Sequence, residues 1–457
     1  VKQTPPKDKK ILSVKRVAIF IAVFAVSLAL RVSGPRTIGP YDDAYHWKRI
    51  AHFPHVLEFD PDRDAWCPWP PLYDFAMGAA VRAGAPLIWI PPIVFSLFAA
   101  TLAVTVGWIA GLGLALSPCL IGISSVAKID HHWVEPMLVV AIVAARRRPL
   151  LLAMAMIAAL FVQPALIIAC GLVFFVLWGT GAPACPDRRE RLSSISFALA
   201  AAAVIAYRLT HAYPDNAWFL GWPHAALLTG AAVALLLKPR WYAIPIGAAV
   251  TLPWLPSIIE GLHFFRGDPW LRSIVEFQPL FHDPSRIGTD IANLGGGLIA
   301  LLLFARRRSP TVMLFAIVYF VLAISSQRFL VPGIAMFVIA GQIAAIDRKW
   351  IAAALTILPP LFYDAYSPPG TAVPHFAVVD RIVALPPGRV LAPWYLGHAI
   401  DVFGHHAVVI DNFGSMPDPV RFELANEALA NPRILRAYCR LNHVRYVVMH
   451  GAIWTIE

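Results

Sequence analysis

Residues 129–135 read "IDHHWVE". Asp130, His131, His132 and Glu135 thus bring four ionisable side chains into one of the most apolar stretches of the chain, where charge is costly. A carboxylate suits a hard divalent cation, and an imidazole two positions on can complete the ligand set for a metal like manganese. Two other places offer matching chemistry. "YDDAYHWKRI" at 41–50 opens with Asp42 and Asp43, and "SIVEFQP" at 273–279 carries Glu276. Carboxylates gathered in one place repel each other unless a cation lies among them.

The elements that would position these groups are membrane helices. The chain has 457 residues, of which 58% are hydrophobic and only 14% charged, against roughly 25% charged in soluble domains. Apolar runs recur from residue 17 to about residue 364 and read as transmembrane helices. The first, "VAIFIAVFAVSLALRV", follows "KDKKILSVKR" but precedes no small-residue cleavage site, so it is read as a retained helix. The net charge of +11 falls in short loops, as expected for the inner face of a membrane protein, and gives no support to nucleic-acid binding. Five cysteines, Cys67, Cys119, Cys170, Cys185 and Cys439, form no CxxC pair, so a zinc cage is unsupported.

Positive clusters set the topology. They lie at 7–16, 146–148, 188–191, 238–240, 306–308 and 348–349. If each is cytoplasmic, each interval holds an even number of spans. Counting apolar segments then gives about thirteen helices, at 17–33, 87–106, 109–127, 133–145, 149–162, 164–179, 192–208, 221–237, 241–260, 289–305, 310–325, 329–346 and 350–364. The run 149–179 is divided at Gln163-Pro164, because 31 residues would span about 46 Å at ~1.5 Å each, too long for a ~30 Å hydrocarbon core. This topology sends 34–86, the turn at 128–132, 261–288 and everything after 365 to the outer face. In the tail, "GRVLAPW", "HAVVIDN" and "VRYVVMH" read as strands, with helices at 417–430 and 432–442 between them. The expected architecture is mainly α: a polytopic membrane region over 1–364 and a small extracytoplasmic α/β domain, with a parallel sheet, over 365–457. Asp42, Asp43, Asp130, Glu135, Asp268 and Glu276 then share one face, which points to an outward-facing, metal-dependent membrane enzyme.

These motifs, in this order, resemble the catalytic subunit of oligosaccharyltransferase, in its single-subunit prokaryotic form. "YDDAYHWKRI" resembles that family's first-loop motif and puts Asp42 at the metal-binding Asp. "WPPLYDF" follows as in the family. "KIDHHWVE" resembles the second motif, in which Asp130 and His132 would bind the metal. "SIVEFQP" is similar to the fifth outer-loop motif, with Glu276 as its acid. "SSQRFLVP" resembles the segment whose Arg, here Arg328, contacts the lipid diphosphate. "VLAPWYLGHAIDVFGHHAVVIDNFG" looks like the stretch around WWDYG. There the chain departs: residues 393–397 are "PWYLG", so Trp394 and Gly397 match while Tyr395 stands in place of the Asp. The family's reading of the Asn-x-Ser/Thr hydroxyl therefore does not carry over, and Trp394 and Tyr395 are acceptor-site candidates by position only.

The resemblance implies a GT-C fold, Mn2+ or Mg2+ held by Asp42, Asp130, His132 and Glu276, and a polyprenyl-diphosphate-linked glycan donor. It implies an acceptor polypeptide glycosylated on asparagine, with Asp42 and Glu276 engaging the acceptor amide. A multi-pass protein of the cell membrane is expected, acting as a single subunit with its site on the extracytoplasmic face. Glu135 is read as a support for His131 or His132, His131 as a bystander, and Asp43 as uncertain. Taken singly, Asp42 is compatible with an Asx turn, Asp130 with a helix cap and Arg328 with snorkelling to the interface. The alternatives are a membrane transferase acting on another acceptor, favoured by "PWYLG", and a transporter or structural protein with an incidental DHH.

Overall fold

Apolar runs fold into helices wherever backbone groups must be satisfied within the segment. In the computed structural model the described residues are 6–33, 36–179, 188–211, 219–238, 242–263, 270–271, 274, 277–304, 309–361 and 377–456. Within them, Leu87–Thr105, Leu192–Thr210 and Gln327–Ile346 are long and apolar enough to cross a membrane. Pro284–Leu294 with Gly297–Phe304 makes a fourth if this pair, bent by 64°, counts as one span. Further apolar helices of 10–17 residues include His131–Ala145, Pro149–Val162, Pro164–Gly179, Trp222–Leu237 and Pro310–Ser325. The described residues thus hold three or four helices of full spanning length, where apolar segments and charge parity suggested about thirteen crossings.

The difference has local causes. The expected span 109–127 is split into Trp108–Leu116 and Pro118–Ser124, because Pro118 lacks an N–H and can only restart a helix. The expected span 289–305 breaks at Gly295 and Gly296, both at φ +63, a left-handed conformation that glycine alone adopts without strain. A Cβ on Gly296 would also lie 2.5 Å from the Leu355 carbonyl oxygen. The 149–179 run breaks at Gln163, which is extended, and Pro164 opens a short 3-10 turn before Ile167–Gly179. Of the full-length spans, Gln327–Ile346 is the central one: 83% of its apolar window is buried, against 44% for Leu87–Thr105 and 39% for Leu192–Thr210.

At one end of this bundle, two regions meet. The first is the segment holding helix Asp42–Ala51, the hairpin β1 (Phe59–Asp60) and β2 (Ala65–Trp66), and helix Leu72–Arg82. The second is the C-terminal region. Its β3 (Arg389–Leu391) pairs parallel with β4 (Val444–Met449), which pairs antiparallel with β5 (Ala452–Thr455). The sheet is therefore mixed rather than parallel. "HAVVIDN" adds a single bridge, Val390 to Val408, because the chain then turns to bury Val409, Ile410 and the Asp411 carboxylate. Helices Pro419–Ala430 and Pro432–Leu441 each begin with an Asp or Asn side chain accepting a backbone N–H, followed by proline, a strong start signal.

Trp270 and Leu271, from the expected outer loop 261–288, pack into the same apolar cluster as Leu391, Ile410 and Phe422. Cys67 and Cys439 are both buried and unpaired, in separate clusters. Cys185 lies outside the described residues.

Candidate active site

Helix Asp42–Ala51 presents its acidic residues in the first turn, where the helix N-terminus favours negative charge. Asp43 is buried and acts on the "DHH" segment directly. Its Oδ1 accepts the backbone N–H of Ile129 at 2.7 Å and of Asp130 at 2.9 Å, and its Oδ2 lies 3.4 Å from Lys128 Nζ. Burial raises its pKa, and Lys128 only partly offsets this. Asp43 thus fixes the backbone that carries Asp130.

One turn on, His46 is fully enclosed. Its Nδ1 is 2.6 Å from Asp74 Oδ1, and Asp74 Oδ2 is 2.5 Å from Arg49 Nη1. The imidazole stacks on Trp69, centroids 4.2 Å apart and planes within 6°. Its Nε2 faces His131 Nδ1 at 2.9 Å and Asp130 Oδ1 at 3.4 Å. Burial alone would lower the His46 pKa, but Asp74 and Asp130 raise it to about 9. For Asp74, burial is outweighed by Arg49 and His46, and its pKa is lowered. Asp130 is likewise held well below the usual carboxylate range, burial notwithstanding, by His132 and His131.

On the other side of Asp130, His132 Nε2 lies 3.4 Å from Oδ2, while its Nδ1 is 2.9 Å from Glu135 Oε1. Glu135 in turn accepts from Arg328 Nη2 at 2.6 Å. A carboxylate on the far nitrogen of an imidazole is the usual support for a metal-binding histidine, and both His46 and His132 have one. Among the described residues, two groups have ligand atoms lying within 4.8 Å of one another: His46, Asp130 and His131, and His131, His132 and Glu135. Asp130 Oδ1 is buried between imidazoles, 2.9 Å from His131 Nδ1 and 3.4 Å from His46 Nε2. A carboxylate set between imidazoles fits a divalent cation of the manganese type.

The expected residues are not all equivalent. Asp42, His132, Arg328, Trp394 and Tyr395 line one cavity of about 1050 Å³. Asp42 is in neither ligand group; its Oδ1 points toward His398 Nδ1, 3.5 Å away. His131, read from the sequence as a bystander, belongs to both groups, and its Nε2 lies 3.2 Å from Gln163 Nε2. Glu135 bridges His132 to Arg328. Asp268 and Glu276 lie outside the described residues, although Ile274 and Phe277 on either side of Glu276 line the cavity. Trp394 meets Trp270 edge-on with centroids 6.1 Å apart, and Tyr395 is 45% exposed.

Sequence reasoning missed His46, Asp74, Gln163, His398 and Asp411. For His46 a signal existed: it follows Asp42 by four positions, on one helix face. For Asp74 and His398 there was none, because their partners are 28 and 356 residues distant along the chain.

Neither a family model nor a curated protein matches the sequence. Solved structures do match. The oligosaccharyltransferase AglB of Archaeoglobus fulgidus, in complex with an inhibitory peptide and a dolichol-phosphate, superposes with a TM-score of 0.72 at 15% identity, over 94% of this chain and 69% of that one. The apo form of the Archaeoglobus fulgidus enzyme gives the same TM-score and identity over 95% and 69%. ArnT from Cupriavidus metallidurans bound to undecaprenyl phosphate aligns at a TM-score of 0.36, too distant to argue from. At 15% identity the likeness establishes architecture: over nearly its whole length this chain has the fold of the archaeal oligosaccharyltransferase.

Proposed function

We propose that the protein is a membrane glycosyltransferase that moves a glycan from a polyprenyl diphosphate to the side-chain amide of asparagine, with inversion at the sugar. One observation carries this reading. Asp42, His132 and Arg328, from three distant segments, line a single large cavity whose wall is otherwise mainly apolar, including Ile123, Ile167 and Val331. Apolar walls suit a polyprenyl chain, an arginine suits its phosphates, and a carboxylate suits an acceptor N–H. The fold supports the same reading, since the matching archaeal protein was solved with one ligand of each kind, a peptide and a dolichol-phosphate.

An amide nitrogen is a poor nucleophile because its lone pair is delocalised. Asp42 accepts a hydrogen bond from the acceptor N–H and, with Glu276 as the second acid, weakens that conjugation. The nitrogen attacks C1 from the face opposite the diphosphate. The N–C1 bond forms, the C1–O bond breaks with its electron pair leaving on the diphosphate, and the amide proton passes to a carboxylate. Arg328 offsets the charge that develops on the leaving group. Mn2+ or Mg2+ at Asp42, Asp130, His132 and Glu276 would supply the positive charge that lets these acids stay ionised side by side. We assign the site to the extracytoplasmic face of the cell membrane and keep the thirteen apolar segments as crossings, with no second subunit needed.

A second reading, transfer to a lipid, a cell-wall polymer or a Ser/Thr hydroxyl, is favoured by Tyr395, which lines the cavity where the resembled motif has an Asp. The deciding experiment incubates the purified protein with a lipid-diphosphate glycan and an Asn-x-Thr peptide, with manganese and then with chelator. Glycopeptide formed only with manganese supports the first reading. Activity confined to a hydroxyl acceptor would replace it with the second, and chelator-resistant transfer would overturn the metal assignment.

A further inference from the structure

The expected acid Asp42 meets a residue that neither the sequence motifs nor the metal cluster account for. His398 is completely buried. Its ring stacks on Tyr45, centroids 4.7 Å apart and planes 17° apart, and Phe413 closes on it edge-on at 4.8 Å. Its Nδ1 lies 3.5 Å from Asp42 Oδ1 and its Nε2 lies 3.5 Å from Asp411 Oδ2. Neither nitrogen makes a hydrogen bond in this structure. Leaving a buried polar group unpaired is costly, so both gaps favour tightening.

The two carboxylates are unequally held. Asp411 is anchored: its Oδ1 accepts the Phe413 N–H at 3.0 Å and its Oδ2 pairs with the buried Arg63 guanidinium. Asp42 has a side chain 33% exposed and faces the cavity. The ring therefore sits between an anchored carboxylate and one that faces the cavity.

We propose that His398 is a positioning residue for Asp42. It binds one carboxylate oxygen, stops rotation about the Cβ–Cγ bond, and leaves the other oxygen aimed into the cavity at the acceptor N–H. Attack by a nitrogen requires the accepting oxygen to be placed to within a fraction of an ångström. The C-terminal region would thus take part in the reaction through His398 and Asp411, without itself supplying the acid. This inference rests on Asp42 being the acid of the proposed function.

The test uses the full-length protein and three variants. Asn approximates the Nδ1 position of histidine and Gln approximates Nε2. His398→Asn should keep most of the wild-type kcat. His398→Gln and His398→Ala should each lose about 10–100-fold, with the acceptor KM unchanged. Equal rescue by Asn and Gln, or a normal kcat in His398→Ala, would overturn the proposal. A second measurement does not need turnover: Tm values of Asp42→Ala, His398→Ala and the double variant. The double variant should lose less than the sum of the singles, and strict additivity would sink the contact. If the wild type transfers nothing to any acceptor, the functional reading fails on its own while this cycle still decides whether His398 holds Asp42.

Discussion

Two clusters of buried charge flank helix Asp42–Ala51, and they are built in opposite ways. The cavity cluster, Asp130, His131, His132, Glu135 and Arg328 with His46 behind it, opens on the cavity through His132 and Arg328. The clamp cluster is closed. Lys48 Nζ lies 3.0 Å from Asp60, 2.9 Å from Asp62 and 2.8 Å from Asp401, and Arg63 pairs with Asp411. Burial raises the Asp401 pKa to about 6 although Lys48 opposes it. The closed cluster joins two regions of chain, whereas the open one faces the cavity.

The sharpest way to break this contrast is to remove one member from each side. Asp130→Ala should abolish Mn2+ binding and lower transfer by about 10³-fold, the several kcal/mol that a bound cation supplies. Equilibrium metal binding and kcat on the purified protein check this. A normal Mn2+ affinity would move the metal away from Asp130.

Lys48→Met makes the converse change. It strands Asp60 and Asp401 in a buried site, which costs roughly 3 kcal/mol and should appear as a lower Tm in detergent. The kcat of the molecules that remain folded should match wild type. A fall in kcat without a fall in Tm would mean that the clamp shapes the site rather than only joining the two regions.

How far each cluster was legible follows from the same contrast. Asp130, His132 and Glu135 lie within six positions and Asp42 opens a helix, so residue type and spacing exposed them. Arg328 was reached only through the resemblance of "SSQRFLVP" to the family's diphosphate-contacting segment. The clamp joins Lys48 to Asp401, 353 positions apart, and no local pattern marks such a pair. In the fold, apolar runs between arginine clusters located the helices well. Their breaks at Pro118 and Gly295–Gly296 were hidden, because hydrophobicity does not fall there. The strand β5 escaped because "AIWT" is short and takes its place only by pairing with β4.

A third test separates the clusters by pH. Burial would raise the Asp411 pKa, but Arg63 and His398 hold it at about 2, below its ordinary 3.8. A group depressed in this way stabilises the fold fully above about pH 4, and the contribution is lost as pH falls toward 2. The expected loss is roughly 2 kcal/mol. Unfolding midpoints measured from pH 5 to pH 2 should fall for the wild type. Asp411→Asn, lower at neutral pH, should show a flatter acid limb, and added chelator should leave both slopes alone. An unchanged slope in Asp411→Asn would place the acid sensitivity elsewhere.

The smallest effect tests whether Arg328 belongs to both functions of the cavity cluster at once. Its Nη2 is committed to Glu135 at 2.6 Å, yet the residue lines the cavity. A guanidinium can do both because its donors are spread over a rigid plane, whereas an ammonium is a point charge that serves one direction well. Arg328→Lys preserves the charge beside Glu135, so His132 keeps its support and Mn2+ affinity should stay within the wild-type range. What the lysine lacks is the second edge for a phosphate, and kcat should fall about tenfold, the worth of roughly 1.4 kcal/mol. If Mn2+ affinity fell as far as kcat, Arg328 would act through Glu135 and His132 alone, and the cavity cluster would be closed on itself as the clamp is.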